Sequence, residues 1–387
     1  MMKLLAAGGG SGGHVTPVLA VINELAELDD RLEVRFICDR AFESQSRGLM
    51  KHANVPVEVA TIPAGKLRRY HGESLWRRLT DIHTIALNIR DILKIIGGFF
   101  KSLLIIGRFQ PDVVFAKGGF VCLPLGIAAR LMGVPIVIHD SDTRPGLTNS
   151  VLGKFADRIA TGSPLENYRY PAAKSRYTGV PINEAFHPLS SAEQQAAKAS
   201  IGMIDITAPL VVVTGGGLGA KSINDAMVRS AKRLIAAGIH VYHVTGKKHF
   251  DDVKSLCIEH PHYMIVPFVY KDMVSVLGAG DIVVSRASAT FLQELAGLAK
   301  PAIVVPGSQL GDQVKNAAVF AASEAVIVLR DKEIGETDVL GDTILAVLKD
   351  SALQHKLSQN LHRYAKPNAA ADVAAMIIDA YKVGKSK

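Results

Sequence analysis

Three clusters of small residues follow short apolar runs in this chain. Gly8-Gly-Gly-Ser-Gly-Gly13 follows Lys3–Ala7, Lys117-Gly-Gly-Phe120 follows Pro111–Ala116, and Gly215-Gly-Gly-Leu-Gly-Ala220 follows Pro209–Thr214. Glycine lets the backbone turn sharply and approach a ligand with no Cβ in the way. A helix starting there aims its first N–H groups and the positive end of its dipole at one point, which suits a phosphate. One such loop could equally be a tight turn, and neither the strict dinucleotide fingerprint nor a Walker lysine pattern is present. Three of them at strand ends favour phosphate. Groups able to move protons stand beside them. His14 directly follows the first loop, where a helix start disfavours imidazolium and leaves a neutral ring that can accept a proton. Asp140 and Asp142, after the run Val134–His139, are competing bases, or turn and cap residues. Small residues recur at Ala287, Ser288, Ala289 and Thr290. Glu294, one turn on, suits a pair of ribose hydroxyls, or is a solvated acid favoured by the helix dipole.

The elements that must hold these residues alternate along the whole chain. Apolar runs rich in Val and Ile read as buried parallel strands, and the stretches between them carry helical periodicity. Two such series are separated by the proline-containing, polar segment from Ser163 to Ser200, near whose start the inter-domain connection is placed. Strand–helix alternation predicts parallel sheets covered on both faces, with ligands at the carboxyl ends of the strands. The fold class is therefore α/β: two doubly wound, Rossmann-like domains facing a cleft.

The chain of 387 residues is long enough for two cores, and its three cysteines (Cys38, Cys122, Cys257) show no metal-ligand spacing. They read as buried thiols of a reducing compartment. The apolar run before the first glycines is too short for a signal peptide, and no run reaches membrane-spanning length, so a cytoplasmic protein is expected. The net charge of +8 is concentrated between Lys66 and Arg108, where nine basic residues face three acids. Within 81–109 the charges Arg90, Lys94, Lys101 and Arg108 recur at helical spacing among Ile, Leu and Phe. Such a helix fits an anionic membrane interface, and Trp76 and Tyr70 among Arg68, Arg69, Arg77 and Arg78 suit the same boundary. A core helix with one solvated face explains part of the segment. Nucleic acid is not expected, since no recognised motif accompanies the patch.

Gly9-Gly-Ser-Gly-Gly-His14 with Pro17, Lys117–Phe120, His139 through Pro145-Gly-Leu-Thr-Asn149, Gly215–Ala220, Phe268–Met273, Arg286–Glu294 and Asp312-Gln-Val-Lys-Asn-Ala317 occur in order over nearly the full chain. Together they resemble the MurG-type N-acetylglucosaminyltransferases of peptidoglycan synthesis, which have the GT-B fold. The resemblance implies inverting, metal-independent transfer of N-acetylglucosamine from UDP-N-acetylglucosamine to lipid I at the cytoplasmic membrane face, giving lipid II, with no cofactor. It implies an acceptor and membrane domain over residues 1–164, a UDP-sugar domain over 165–365, and a terminal helix near 366–387 packed back on the first. Gly215, Gly216, Gly217, Gly219 and residues 287–290 would meet the donor diphosphate. Phe268, Val269 and Met273 would surround uracil, with Glu294 on ribose and Gln313 on the sugar. Ser11, Gly12, Gly13 and Asp142 are also expected on UDP-N-acetylglucosamine, with His14 or Asp140 as base. Gly9, Gly10, Gly118 and Gly119 would hold the acceptor diphosphate, and Trp76, Arg77, Arg78, Lys94, Phe99, Phe100 and Lys101 the anionic membrane. The chain departs from the family pattern at Asp140-Ser141-Asp142, Gly217-Leu218 and Asn183. Another lipid acceptor, or a nucleotide-sugar binder without catalysis, are the rival readings.

Overall fold

Leu210–Thr214, Val113–Ala116 and Ile136–Asp140 are buried at every position, as strands covered on both faces must be. They belong to two parallel sheets in a computed structural model that describes residues 2–9, 12–65, 82–269 and 272–385. Gly10, Ser11, Trp76, Arg77, Arg78 and the neighbouring Arg68, Arg69 and Tyr70 lie outside the described residues.

The contacts divide the chain into one unit of Met1–Ile182 with Asn368–Lys387, and a second of Asn183–Pro367. In the first, β1 (Lys3–Ala7), β2 (Glu33–Cys38), β3 (Val57–Thr61), β4 (Val113–Ala116), β5 (Ile136–Asp140), β6 (Arg158–Thr161) and β7 (Ser175–Tyr177) lie in the order β3-β2-β1-β4-β5-β6-β7. The chain winds outward from β1, then returns to β4 on its other side. This switch point is where doubly wound sheets open a crevice. Ala7 lies opposite Ala116 in the ladder, so Gly8 and Lys117 leave the sheet side by side. The division falls later than residue 164 because β7 pairs with β6, although three residues reading Ser-Arg-Tyr carry no apolar signal.

The second unit repeats the plan with β8 (Leu210–Thr214), β9 (His240–Val244), β10 (Tyr263–Val266), β11 (Ile282–Ser285), β12 (Ala302–Val304) and β13 (Ile327–Val328), ordered β10-β9-β8-β11-β12-β13. Thr214 lies opposite Ser285, which places the glycine loop after β8 beside the small residues after β11. Both sheets meet the expectation of doubly wound parallel domains.

In the first unit, α1 (Gly12–Leu28) packs against the C-terminal helix Ala369–Lys385. Val373, Ala374, Met376 and Ile377 of that helix join the core of the first sheet, and Arg158–Asp379 (2.6 Å) and Arg176–Asp372 (2.8 Å) fasten its outer side. Helix Ile82–Phe109 is two-sided. Asp91, Ser102 and Ile106 are buried, and Gly98 passes so close to Pro63 that a Cβ would lie 2.1 Å from its carbonyl oxygen. The opposite side exposes Ile89, Ile92, Leu93, Ile96, Phe100 and Leu104, each with 47–63% of its surface free. Lys94 and Lys101 are exposed on this helix, whereas Phe99 packs on the core beneath. No described helix is long and apolar enough to cross a membrane.

Candidate active site

The first unit gathers its polar residues at the carboxyl ends of β1, β4 and β5. Gly9 and Gly119 meet backbone to backbone: a Cβ on Gly119, whose φ is +86°, would lie 2.3 Å from the Gly9 carbonyl oxygen. His14 follows on α1. Its Nδ1 is fully enclosed and has no hydrogen-bond partner among the described residues, while the ring as a whole keeps some accessible surface. Burial, and then the nearby Lys117 ammonium, pull its pKa down to about 3. The ring is therefore neutral at physiological pH and can take a proton at its accessible nitrogen, Nε2.

Asp140 ends β5 and is buried. Tyr170 donates to its Oδ2 at 2.8 Å, yet burial pushes its pKa up to about 7. Beside it His139 is held neutral by burial, its Nε2 lying 2.8 Å from the Gly179 carbonyl oxygen. Asn149 donates to the His139 carbonyl at 3.0 Å. The structure thus brings His14, Asp140, Gly9, Gly118 and Gly119 to one face of the first sheet. Asp142 lies on the turn after β5, where its carbonyl accepts from Tyr168 at 2.6 Å. Gly12 and Gly13 open α1. Lys117, quoted in the sequence only as a flank of its glycines, proves to be a buried cation. A lone charge between Phe-Ala and Gly-Gly was the available signal.

In the second unit, Gly216 and Gly219 adopt φ of +80° and +75°. A Cβ on Gly219 would lie 2.1 Å from the Thr245 carbonyl oxygen, whereas one on Gly216 would meet nothing within 4 Å. Gly219→Ala is therefore expected to cost at least ~2 kcal/mol and displace the loop, and Gly216→Ala only about 1 kcal/mol of left-handed strain. Urea unfolding of both variants checks the contrast. The following helix, Lys221–Ala236, has no side chain capping its start, so its first amides remain for an anion. The helix after β11, Ala289–Gly297, differs. Ser288 caps it by accepting from Phe291 N–H at 3.4 Å, which leaves the serine hydroxyl hydrogen as its donor to a ligand. Ala287 is wholly buried.

Glu294 is half-buried, and its carboxyl makes no hydrogen bond or ion pair with any described residue. Burial raises its carboxyl to about 8. Phe268, Val269 and Met273 are half-buried on the β10 side, and the Lys247 ammonium lies 5.5 Å from the Phe268 ring centre. Gln313 accepts from Gly307 N–H at 3.0 Å, which fixes its amide and directs the NH2 group elsewhere. Arg286 is engaged within the protein. It pairs with Asp331 at 2.7 Å and donates to Ser222 at 3.0 Å and to the Val305 carbonyl at 2.9 Å, tying together the loops at four strand ends. Asn183 accepts from Ala185 N–H at 2.8 Å, closing its own turn.

Residues 4–161 match the glycosyltransferase family 28 N-terminal domain, and residues 210–375 match the family 28 C-terminal domain. A Bacillus cytotoxicus protein named UDP-N-acetylglucosamine–N-acetylmuramyl-(pentapeptide) pyrophosphoryl-undecaprenol N-acetylglucosamine transferase is 30% identical over 386 residues, covering 98% of this chain and 99% of the relative. A Halalkalibacterium halodurans protein of the same name is 32% identical over 90% of each chain. Among solved structures, Acinetobacter baumannii MurG superposes with a TM-score of 0.71 at 22% identity, covering 98% of this chain and all of the other. A UDP-GlcNAc 2-epimerase from Neisseria meningitidis, bound to UDP-GlcNAc, gives 0.70 at 13% identity over 98% of this chain and 100% of its own. At these identities the structures speak for the fold alone.

Proposed function

The chain belongs to the family of UDP-N-acetylglucosamine–N-acetylmuramyl-(pentapeptide) pyrophosphoryl-undecaprenol N-acetylglucosamine transferases, and from that membership we infer its reaction. It transfers N-acetylglucosamine from UDP-N-acetylglucosamine to lipid I, forming lipid II of peptidoglycan synthesis. One observation carries the assignment of the donor. At the switch point of the second sheet, an uncapped helix start behind Gly215–Gly219 stands beside the helix bearing Glu294, whose carboxyl has no partner among the described residues. A nucleoside diphosphate needs amides for its phosphates and a carboxylate for its ribose.

The chemistry follows from the residues. His14 takes the proton of the acceptor hydroxyl as that oxygen attacks the anomeric carbon, and UDP departs with inversion. The growing charge on UDP meets the amides of Gly215–Lys221 and the Ser288 hydroxyl, which need not reorganise during reaction. No step draws on a metal. Gly9, Gly118 and Gly119 offer close backbone approach to the acceptor diphosphate, and Phe268, Val269 and Met273 supply an apolar wall for uracil. Gln313 presents its NH2 to the sugar. The acceptor's polyprenyl tail lies in a membrane, and the apolar side of helix Ile82–Phe109, with Lys94 and Lys101, docks there at the cytoplasmic face. Phe100 belongs to that contact and Phe99 does not.

Purified protein mixed with UDP-N-acetylglucosamine and a short-chain lipid I analogue should release UDP. Absence of release from folded protein with a membrane mimic present would overturn the assignment. Faster UDP release with another lipid acceptor, which also suppresses glycosylation of the lipid I analogue by competition, would reassign the acceptor alone.

A further inference from the structure

Lys117 is 1% exposed, and a lysine is rarely buried so completely without a charge partner. Its ammonium donates to the Ser141 hydroxyl in a short hydrogen bond. That places it under the turn Asp140-Ser141-Asp142, and both carboxylates act on its charge. The other titratable groups around it are His14 on α1, His139 in β5 and Cys122 on the helix after β4. Burial holds both histidines neutral and pushes the Cys122 thiol up to about 12, so among the described residues Lys117 is the cation answering the two acids of this cluster. Without it, Asp140 and Asp142 would face each other as like charges in a poorly solvated place, and one would take a proton.

We propose that Lys117 is a positioning residue of this site: its ammonium pins the Asp140–Asp142 turn through Ser141 and favours the ionised form of Asp140 beside His14. The proposal rests on reading the first unit as the acceptor site. Burial moves Asp140 up and Lys117 down, towards each other, so the pair loses its opposite charges on both sides of an intermediate pH range. Below it Asp140 is protonated, and above it Lys117 is neutral.

The test is the pH profile of kcat/KM for the lipid I analogue at saturating UDP-N-acetylglucosamine, which removes Glu294 from the titration. Wild type should give a bell whose limbs belong to the coupled pair. Lys117→Met fills the same space without charge. It should lower the rate about 10²-fold through misplacement, move the rising limb up by a pH unit or more, and abolish the falling limb. Lys117→Arg, whose guanidinium stays charged, should keep the rising limb near its wild-type position and show no falling limb. A Lys117→Met enzyme that is slower but keeps both limbs would reduce the residue to a space-filler and overturn the proposal. Should Lys117→Met not fold, wild type still decides, because a profile with no falling limb near Lys117's titration sinks the idea. A ¹³C-carboxyl NMR titration of Asp140, in wild type, Lys117→Arg and Lys117→Met, needs no turnover. It should show one ionisation near neutrality that the charge-conserving variant keeps. An Asp140 ionisation that moves in Lys117→Arg, or that Lys117→Met leaves where wild type has it, would refute the proposal even if the protein transferred no sugar.

Discussion

Alanine at position 14 should lower kcat for UDP release about 10²- to 10⁴-fold, the span that a positioned general base contributes. The dissociation constant for UDP-N-acetylglucosamine should not change, because the proposed donor contacts lie in the second unit. The argument rests on the state of the imidazole. Burial and the Lys117 ammonium keep it unprotonated, and with Nδ1 enclosed the accessible Nε2 is left to receive the hydroxyl proton. A tenfold loss or less, with Asp140→Asn showing the larger one, would move the role of base to Asp140. Stopped assays of donor binding and single-turnover rate separate the two outcomes. An equal loss of donor affinity and rate would mean that His14 holds substrate and does not act as base.

The sheets and their glycine loops were legible because buried parallel strands announce themselves. Leu210–Thr214 and Ile136–Asp140 have no solvent face to encode, so their apolar runs are nearly continuous. The glycines that follow mark real constraints, since Gly219 and Gly119 combine positive φ with no room for a Cβ. What escaped lacks that redundancy. Strand β7 is three residues at a sheet edge, held by ladder bonds and not by apolar side chains. The helix Ser191–Ser200, at the end of the proline-containing polar segment that showed no strand series, starts on a capping box between Ser190 and Glu193, a local signal of four residues. Phe99 and Phe100 are adjacent in sequence and alike in chemistry, but a helix turns about 100° per residue. One faces the core and the other faces out. The role of Lys117 was hidden for a different reason. Its neighbours Ser141, Asp140 and Asp142 lie more than twenty residues away, and only the β4–β5 pairing brings them beneath the same loop.

Glu294 yields the other large effect, and its sign depends on its burial. Burial raises the carboxyl to about 8, so at pH 7 it is mostly protonated. Two ribose hydroxyls can both donate only to the ionised form, with one oxygen for each. Binding of UDP must therefore release close to one proton per site at pH 7, and the affinity should rise with pH until the empty carboxyl ionises, then level off above about 8. Calorimetry in buffers of different ionisation enthalpy measures that proton directly. Glu294→Ala removes two charge-assisted hydrogen bonds and the proton release together, and should weaken UDP about 10- to 100-fold. Glu294→Gln keeps one acceptor oxygen and should recover part of the affinity with no pH dependence over this range. If UDP binds wild type with no proton release, the carboxylate does not hold the ribose. If Glu294→Ala binds UDP as tightly as wild type, the nucleoside lies elsewhere on the second unit.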